Sequence, residues 1–174
     1  MIIRKMTSNR QIGISRSVLT HVFTIDQTYK RIFQIAEDFN AAIPKRKGFG
    51  FLDSSKEKAL WCITLNDDSV WHDSLPEDGN ILSVKKTSIN DAKAFQKMVR
   101  NDEEKFDVKV KRLTFVRTDK QGEYRCLGVY VLSAIDFDRQ TIIFRRIAGN
   151  RITLTRERTQ VAMNIESVEE NLSF

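Results

Sequence analysis

A chain of 174 residues, 41% hydrophobic and 30% charged, with seven glycines, two prolines and a net charge of +6, has the size of one domain and the make-up of a globular protein. Cys62 and Cys126 are the only cysteines, so neither a disulfide framework nor a structural zinc site is supported, and no apolar run approaches the ~20 residues that cross a bilayer. The start, Met1-Ile2-Ile3-Arg4-Lys5-Met6, turns polar at once and lacks the pattern of a secretory signal, so a cytoplasmic location is expected.

The positive excess is localised. Residues 1–50 hold nine Lys and Arg against three Asp and Glu, whereas residues 51–174 hold twenty of each. Charge gathered in this way favours a polyanion partner, because each cation that neutralises a phosphate releases condensed counterions. The competing reading is a basic solvated surface.

Residues 1–24 read as extended or irregular, with isoleucines and valines interleaved with Arg4, Lys5, Arg10 and Arg16. Asp26 reads as an N-cap, and Tyr29, Ile32, Phe33, Ala36, Phe39, Asn40 and Ile43 recur at helical spacing up to Pro44. Lys45-Arg46-Lys47-Gly48-Phe49-Gly50 follows as a basic, glycine-bearing loop. Ala59 to Leu65 reads as a strand and Asn66 to Asn80 as a long polar loop. Ile81 to Val84 forms a short strand, and Ser88 or Asn90 caps a second helix whose apolar positions are Ala94, Phe95, Met98 and Val99.

From Phe106 the period changes to two. Phe106, Val108 and Val110 alternate with charges, the phase slips at Arg112, and Leu113 and Phe115 resume it, the mark of a β-bulge. Strands Tyr124 to Ile135, Thr141 to Ile147 and Arg151 to Thr155 continue a meander over 106–156, the last turn made by Gly149-Asn150. Residues 157–174 read as a short C-terminal tail, frayed or helical. The expected fold is α+β, a curved antiparallel β-sheet or partly open barrel with two flanking helices. The organisation expected is a single nucleic-acid-binding domain with a basic segment over 1–50.

Catalytic patterns are few. There is no phosphate-binding glycine loop, no histidine pair at metal spacing and no serine elbow; Cys62 and Cys126 lie in predicted strands and read as buried, inert thiols. One nuclease-like outline exists, Asp78 followed by Glu103-Glu104-Lys105 or Asp107-Val108-Lys109, since two carboxylates can hold a divalent cation while a lysine assists water. Alternating charge on an exposed strand produces the same triplet.

The aromatic residues are the stronger lead. Trp61 and Trp71 flank Asn66-Asp67-Asp68, and Phe49 and Phe51 sit beside Lys45 to Lys47. A pocket for a nucleobase needs aromatic walls and a short acid or amide at its floor. Trp61 also reads as a core residue. Trp71, in polar surroundings, reads either as a pocket wall or as a loop anchor.

Over 66–147 the chain resembles the SET- and RING-associated (SRA) domains of the PUA-like group. Trp71-His72-Asp73-Ser74-Leu75-Pro76-Glu77-Asp78-Gly79-Asn80-Ile81-Leu82 is similar to that family's acidic loop running into a strand. An Asn90-Asp91-Ala92 helix start, Val108 to Leu113, Tyr124 to Leu132 and Phe144-Arg145-Arg146-Ile147 follow in the family's order. The resemblance implies a curved barrel that reads DNA carrying modified cytosine by flipping the base into an aromatic pocket, in a bacterial restriction context. The family's Gly-x-His-Arg segment is absent, and Leu127 stands where its "YDG" label has aspartate.

The resulting expectation is a DNA-binding module, a reader of a modified base among its forms, in a bacterial or phage restriction or defence setting. Lys45, Arg46 and Lys47 would contact phosphates, Arg10 and Arg16 a groove or backbone, and Trp71 with Asp68 or Asp73 would hold a base. No catalytic residue, no metal and no cofactor is assigned, and the chain is expected not to be an enzyme. Its partner is nucleic acid, DNA rather than RNA, with no membrane; a protein partner or a fused nuclease domain is a further option. The alternatives are a protein-interaction module, such as a small phage inhibitor of a nuclease, and a metal-dependent nuclease.

Overall fold

The computed structural model describes residues 17–43, 48–65, 71–88, 91–118 and 122–167. The chain is α+β. Its elements are β1 (Val18–Thr24), β2 (Thr28–Tyr29), α1 (Ile32–Asp38), β3 (Phe49–Phe51), β4 (Lys58–Thr64), β5 (Trp71–Ser74) and β6 (Ile81–Lys86), followed by α2 (Ala92–Asn101) and a 3-10 turn at Glu103–Phe106. Then come β7 (Lys111–Arg117), β8 (Tyr124–Asp136), β9 (Thr141–Arg146), β10 (Arg151–Glu157) and β11 (Gln160–Glu166).

The strands make two open sheets, one in the order β3-β4-β7-β8-β9-β6-β5 with β2 joined to β8, the other β1-β10-β11. All pairings are antiparallel except β4 with β7, a departure from the all-antiparallel expectation. Parallel neighbours require a long crossover. The β5–β6 hairpin and α2 supply it.

Alternation of side chains sends β7 and β8 to two cores at once. Leu113, Phe115, Cys126 and Val129 face Phe23, Ile152, Leu154 and Met163 of the small sheet and Ile32, Ile35 and Phe39 of α1. On the opposite face Val116, Leu127, Tyr130 and Leu132 meet Phe95 and Val99 of α2 together with Leu82, Ile142 and Phe144. The large sheet is thus the middle layer, with α2 on one side and the small sheet with α1 on the other.

Curvature comes from irregularities in the long strand β8. Thr114 pairs with Gly128 and Phe115 with Cys126, so Leu127 is the inserted residue and Gly128, at φ +98°, takes the bulge geometry. A second slip between Leu132 and Ala134 leaves Ser133 extra. The expected bulge therefore exists, but on the partner strand rather than at Arg112.

Several sequence expectations are corrected here. Asp26 does not cap α1: it occupies a turn at φ +67°, β2 intervenes, and the helix starts after Arg31 without a side-chain cap. The helix ends at Asp38, and Asn40 at φ +53° reverses the chain. Asp91, not Ser88 or Asn90, caps α2 by accepting from the Lys93 backbone N–H. Residues 107–110 form a turn instead of a strand, because Arg112 points inward and holds them. Part of the 66–80 loop is strand β5. The meander breaks at Gly149-Asn150, where the chain crosses to the small sheet, and the expected tail contains β11.

Candidate functional site

Arg10, Arg16, Lys45, Arg46, Lys47 and Asp68 lie outside the described residues. Trp71 and Asp73 are on the edge strand β5, their backbones opposite Lys86 and Val84; Asp73 is half-buried. Trp61 is half-buried and packs edge-on against Phe144 at 4.7 Å, as expected of a core residue. Cys62 and Cys126 are buried free thiols, pushed up to about 12 and about 11 by burial.

Asp78, Glu104 and Asp107 of the nuclease-like outline serve the fold. Asp78 accepts from the Asn80 backbone N–H (2.9 Å) and from its Nδ2 (3.0 Å), making a tight turn around Gly79 at φ +62°. Arg146 donates to the Asp78 carbonyl and to Asn80 Oδ1, and the buried Tyr130 hydroxyl donates to the Gly79 carbonyl. Glu104 pairs with Lys56 at 2.5 Å, and Asp107 accepts from the Lys109 N–H. The two triplets sit on the 3-10 turn and the turn after it rather than on a strand. Among the described residues no three His, Cys, Asp or Glu side chains gather as metal ligands.

A groove of about 620 Å³, within the range of small-molecule sites, lies elsewhere. Phe49 and Phe51 of β3 form its aromatic wall, their rings edge-to-face at 5.2 Å. Gly50 between them is required by close approach: a Cβ there would fall 2.6 Å from the Ala42 carbonyl oxygen. Asn40 and Ala42 line the side after α1, Arg156 and Thr159 the side of the β10–β11 hairpin, and Lys105 one end.

The polar groups of the groove divide into two kinds. Asp53 is fully engaged: Oδ1 accepts from the Ser55 N–H and hydroxyl, and Oδ2 from the Val161 N–H at 3.0 Å and lies 3.5 Å from Lys58 Nζ. Burial alone would raise this carboxyl, but the hydrogen bonds from Ser55 and Val161 and the Lys58 charge outweigh it, and it titrates below the ordinary carboxylate value. Asp53 thereby ties the large sheet to the small one. Lys105 is neutralised by Asp102 at 2.8 Å.

Asn40 and Arg156 are different. The Asn40 residue is exposed at the rim. Arg156 donates from Nε to the Arg158 carbonyl (3.0 Å) and from Nη1 to the Asp38 carbonyl (2.7 Å), so two backbone acceptors fix the guanidinium. Among the described residues it has no carboxylate partner, and its Nη2 takes part in neither bond. The groove can therefore offer an aromatic face, an amide and a positioned cation.

Phe49 and Phe51 were legible as candidates in the sequence through their basic neighbours. Asn40 and Arg156 were missed, since nothing in a strand or helix pattern says that residues 116 apart meet.

No family model and no curated protein matches the chain. Among solved structures it is similar to one titled "The 5-Hydroxymethylcytosine-Specific Restriction Enzyme AbaSI", at 19% identity and a TM-score of 0.47, over 64% of this chain and 35% of that one. The chain thus spans about a third of that structure's length. Membership of the SRA family is not shown by these comparisons. The expectation of a chain that is not an enzyme is withdrawn against this finding, since the similar structure is titled a restriction enzyme.

Proposed function

We propose that the chain is a DNA-binding domain whose Phe49–Phe51 groove takes a single unstacked base. The observation that supports it most is the meeting of the aromatic pair with Asn40 and Arg156 in one groove. A base stacked on an aromatic wall gains about 1–3 kcal/mol whatever its identity, and an amide can read its hydrogen-bonding edge. In the sequence, Lys45-Arg46-Lys47 lies between two lining residues, Ala42 and Phe49, which favours phosphate contacts beside the base. Arg10 and Arg16 are further backbone contacts in this proposal, and Trp71 with Asp68 or Asp73 is a second place for a base. A restriction or defence setting, with modified cytosine as the base read, belongs to the same proposal.

Titration at two salt concentrations against a plain duplex and a duplex with modified cytosine tests this reading. Affinity that falls steeply with salt and is higher for the modified duplex is the expected result. Absence of binding to either duplex would overturn it and favour a protein partner.

A further inference from the structure

The exposed face of α2 carries Lys93, Lys97 and Arg100, at i, i+4 and i+7, while Phe95 and Val99 are buried on the other face. Over this interval the helix rises about 10 Å, so the three cations form one row. None of the three side chains has an ion pair or hydrogen bond among the described residues. No acidic residue stands within the helix, Ala92–Asn101.

This row works against the helix that bears it. Lys93 occupies the first turn, at the positive end of the helix dipole, where the one carboxylate is the N-cap Asp91 bonded to the Lys93 N–H. Lys93 and Lys97 are like charges four apart, and Lys97 and Arg100 three apart, both spacings that bring them together. Only Arg100, in the last turn, suits the dipole. Like charges brought together at two spacings on one solvent face, with no acid inside the helix between them, fit a surface that meets an outside charge.

We propose that this face of α2 docks on the phosphodiester backbone of DNA, with Lys93, Lys97 and Arg100 as phosphate contacts. The proposal takes its partner from the DNA reading above but makes no use of the groove.

The test is the triple variant Lys93→Gln, Lys97→Gln, Arg100→Gln, titrated with plain duplex across a salt series. Loss of three contacts should reduce the slope of log K against log salt by about 2.7, which is roughly 40-fold less sensitivity between 50 and 200 mM. The preference for modified over plain duplex, which reports the groove, should stay as in the wild type. The variant's Tm at low salt should rise by about 1–3 °C, because like-charge pairs are removed. A second variant, Lys93→Arg, Lys97→Arg, Arg100→Lys, keeps the charges and should keep the slope. An unchanged slope in the Gln variant, or a slope lost in the charge-conserving one, would overturn the proposal. A wild type that binds with a steep salt slope but does not prefer the modified duplex would instead count against the groove, and a wild type that ignores every duplex would remove the DNA reading itself.

Discussion

Arg112 of β7 and Arg156 of β10 are both held by backbone carbonyls rather than by carboxylates, yet they stand at opposite ends of a range. Arg112 is 1% exposed; it donates to the carbonyls of Val110, Lys105 and Asp107 and lies 5.0 Å over the ring of Phe144. Burial lowers it to about 10, well below the ordinary arginine value, but it stays charged at neutral pH. Arg156 is fixed by two carbonyls and lines a groove with a guanidinium nitrogen outside both bonds. A buried cation whose guanidinium holds three carbonyls of one turn closes that turn and does no more. One held in place with donors to spare is preorganised for an outside anion or polar edge.

The widest separation of the two should come from alanine substitutions. Arg112→Ala should cost about 3–5 kcal/mol in urea unfolding, since it leaves a cavity beside Phe144 and strands three carbonyls that ordered the 105–110 turn. Arg156→Ala should cost at most about 1 kcal/mol of stability while weakening DNA binding by about 1.5–3 kcal/mol, the worth of a charge-assisted hydrogen bond. Equal losses of stability in the two variants would erase the distinction.

Asp53 supplies a finer test on the anionic side. Its pKa is depressed in the folded chain, so the stability it contributes is present above the unfolded carboxylate value of about 4 and is lost as pH falls through the lower folded value. Asp53→Asn, which puts an amide against the Val161 N–H or Lys58, should cost about 1.5–3 kcal/mol at pH 7 and should flatten the acid limb of an unfolding curve between pH 5 and pH 2. A limb as steep as in the wild type would show that Asp53 does not clamp the sheets.

The same contrast explains what could be read from the chain. Period and turn residues were sufficient for β4, β6, α2 and the β7-β8-β9 run, because their apolar positions alternate or recur toward cores on fixed faces. They misled at Arg112, where a buried cation sits in a slot that the pattern assigns to a slip, and at Phe106–Val110, whose alternation is imitated by a 3-10 turn and a loop around that arginine. They also misled at Gly149-Asn150: a tight turn signals reversal but not which sheet receives the next strand. β11 was overlooked although Val161, Met163 and Ile165 alternate with Gln160, Ala162, Asn164 and Glu166, because the glutamates at its end read as a tail and its partner β10 is set only by the fold. For the site, the Phe-Gly-Phe segment and its basic flank were visible locally, whereas Asn40 and Arg156 reach it only through the packing of α1 and of the small sheet.

The most direct test places a single 2-aminopurine, whose emission is quenched by stacking, in a duplex and follows its fluorescence as the chain is added. Under the groove reading the emission changes on binding as the base leaves the duplex stack, and in the Phe49→Ala, Phe51→Ala variant that change is lost while salt-dependent binding to the duplex persists. A spectral change of the same size with both phenylalanines removed would contradict it.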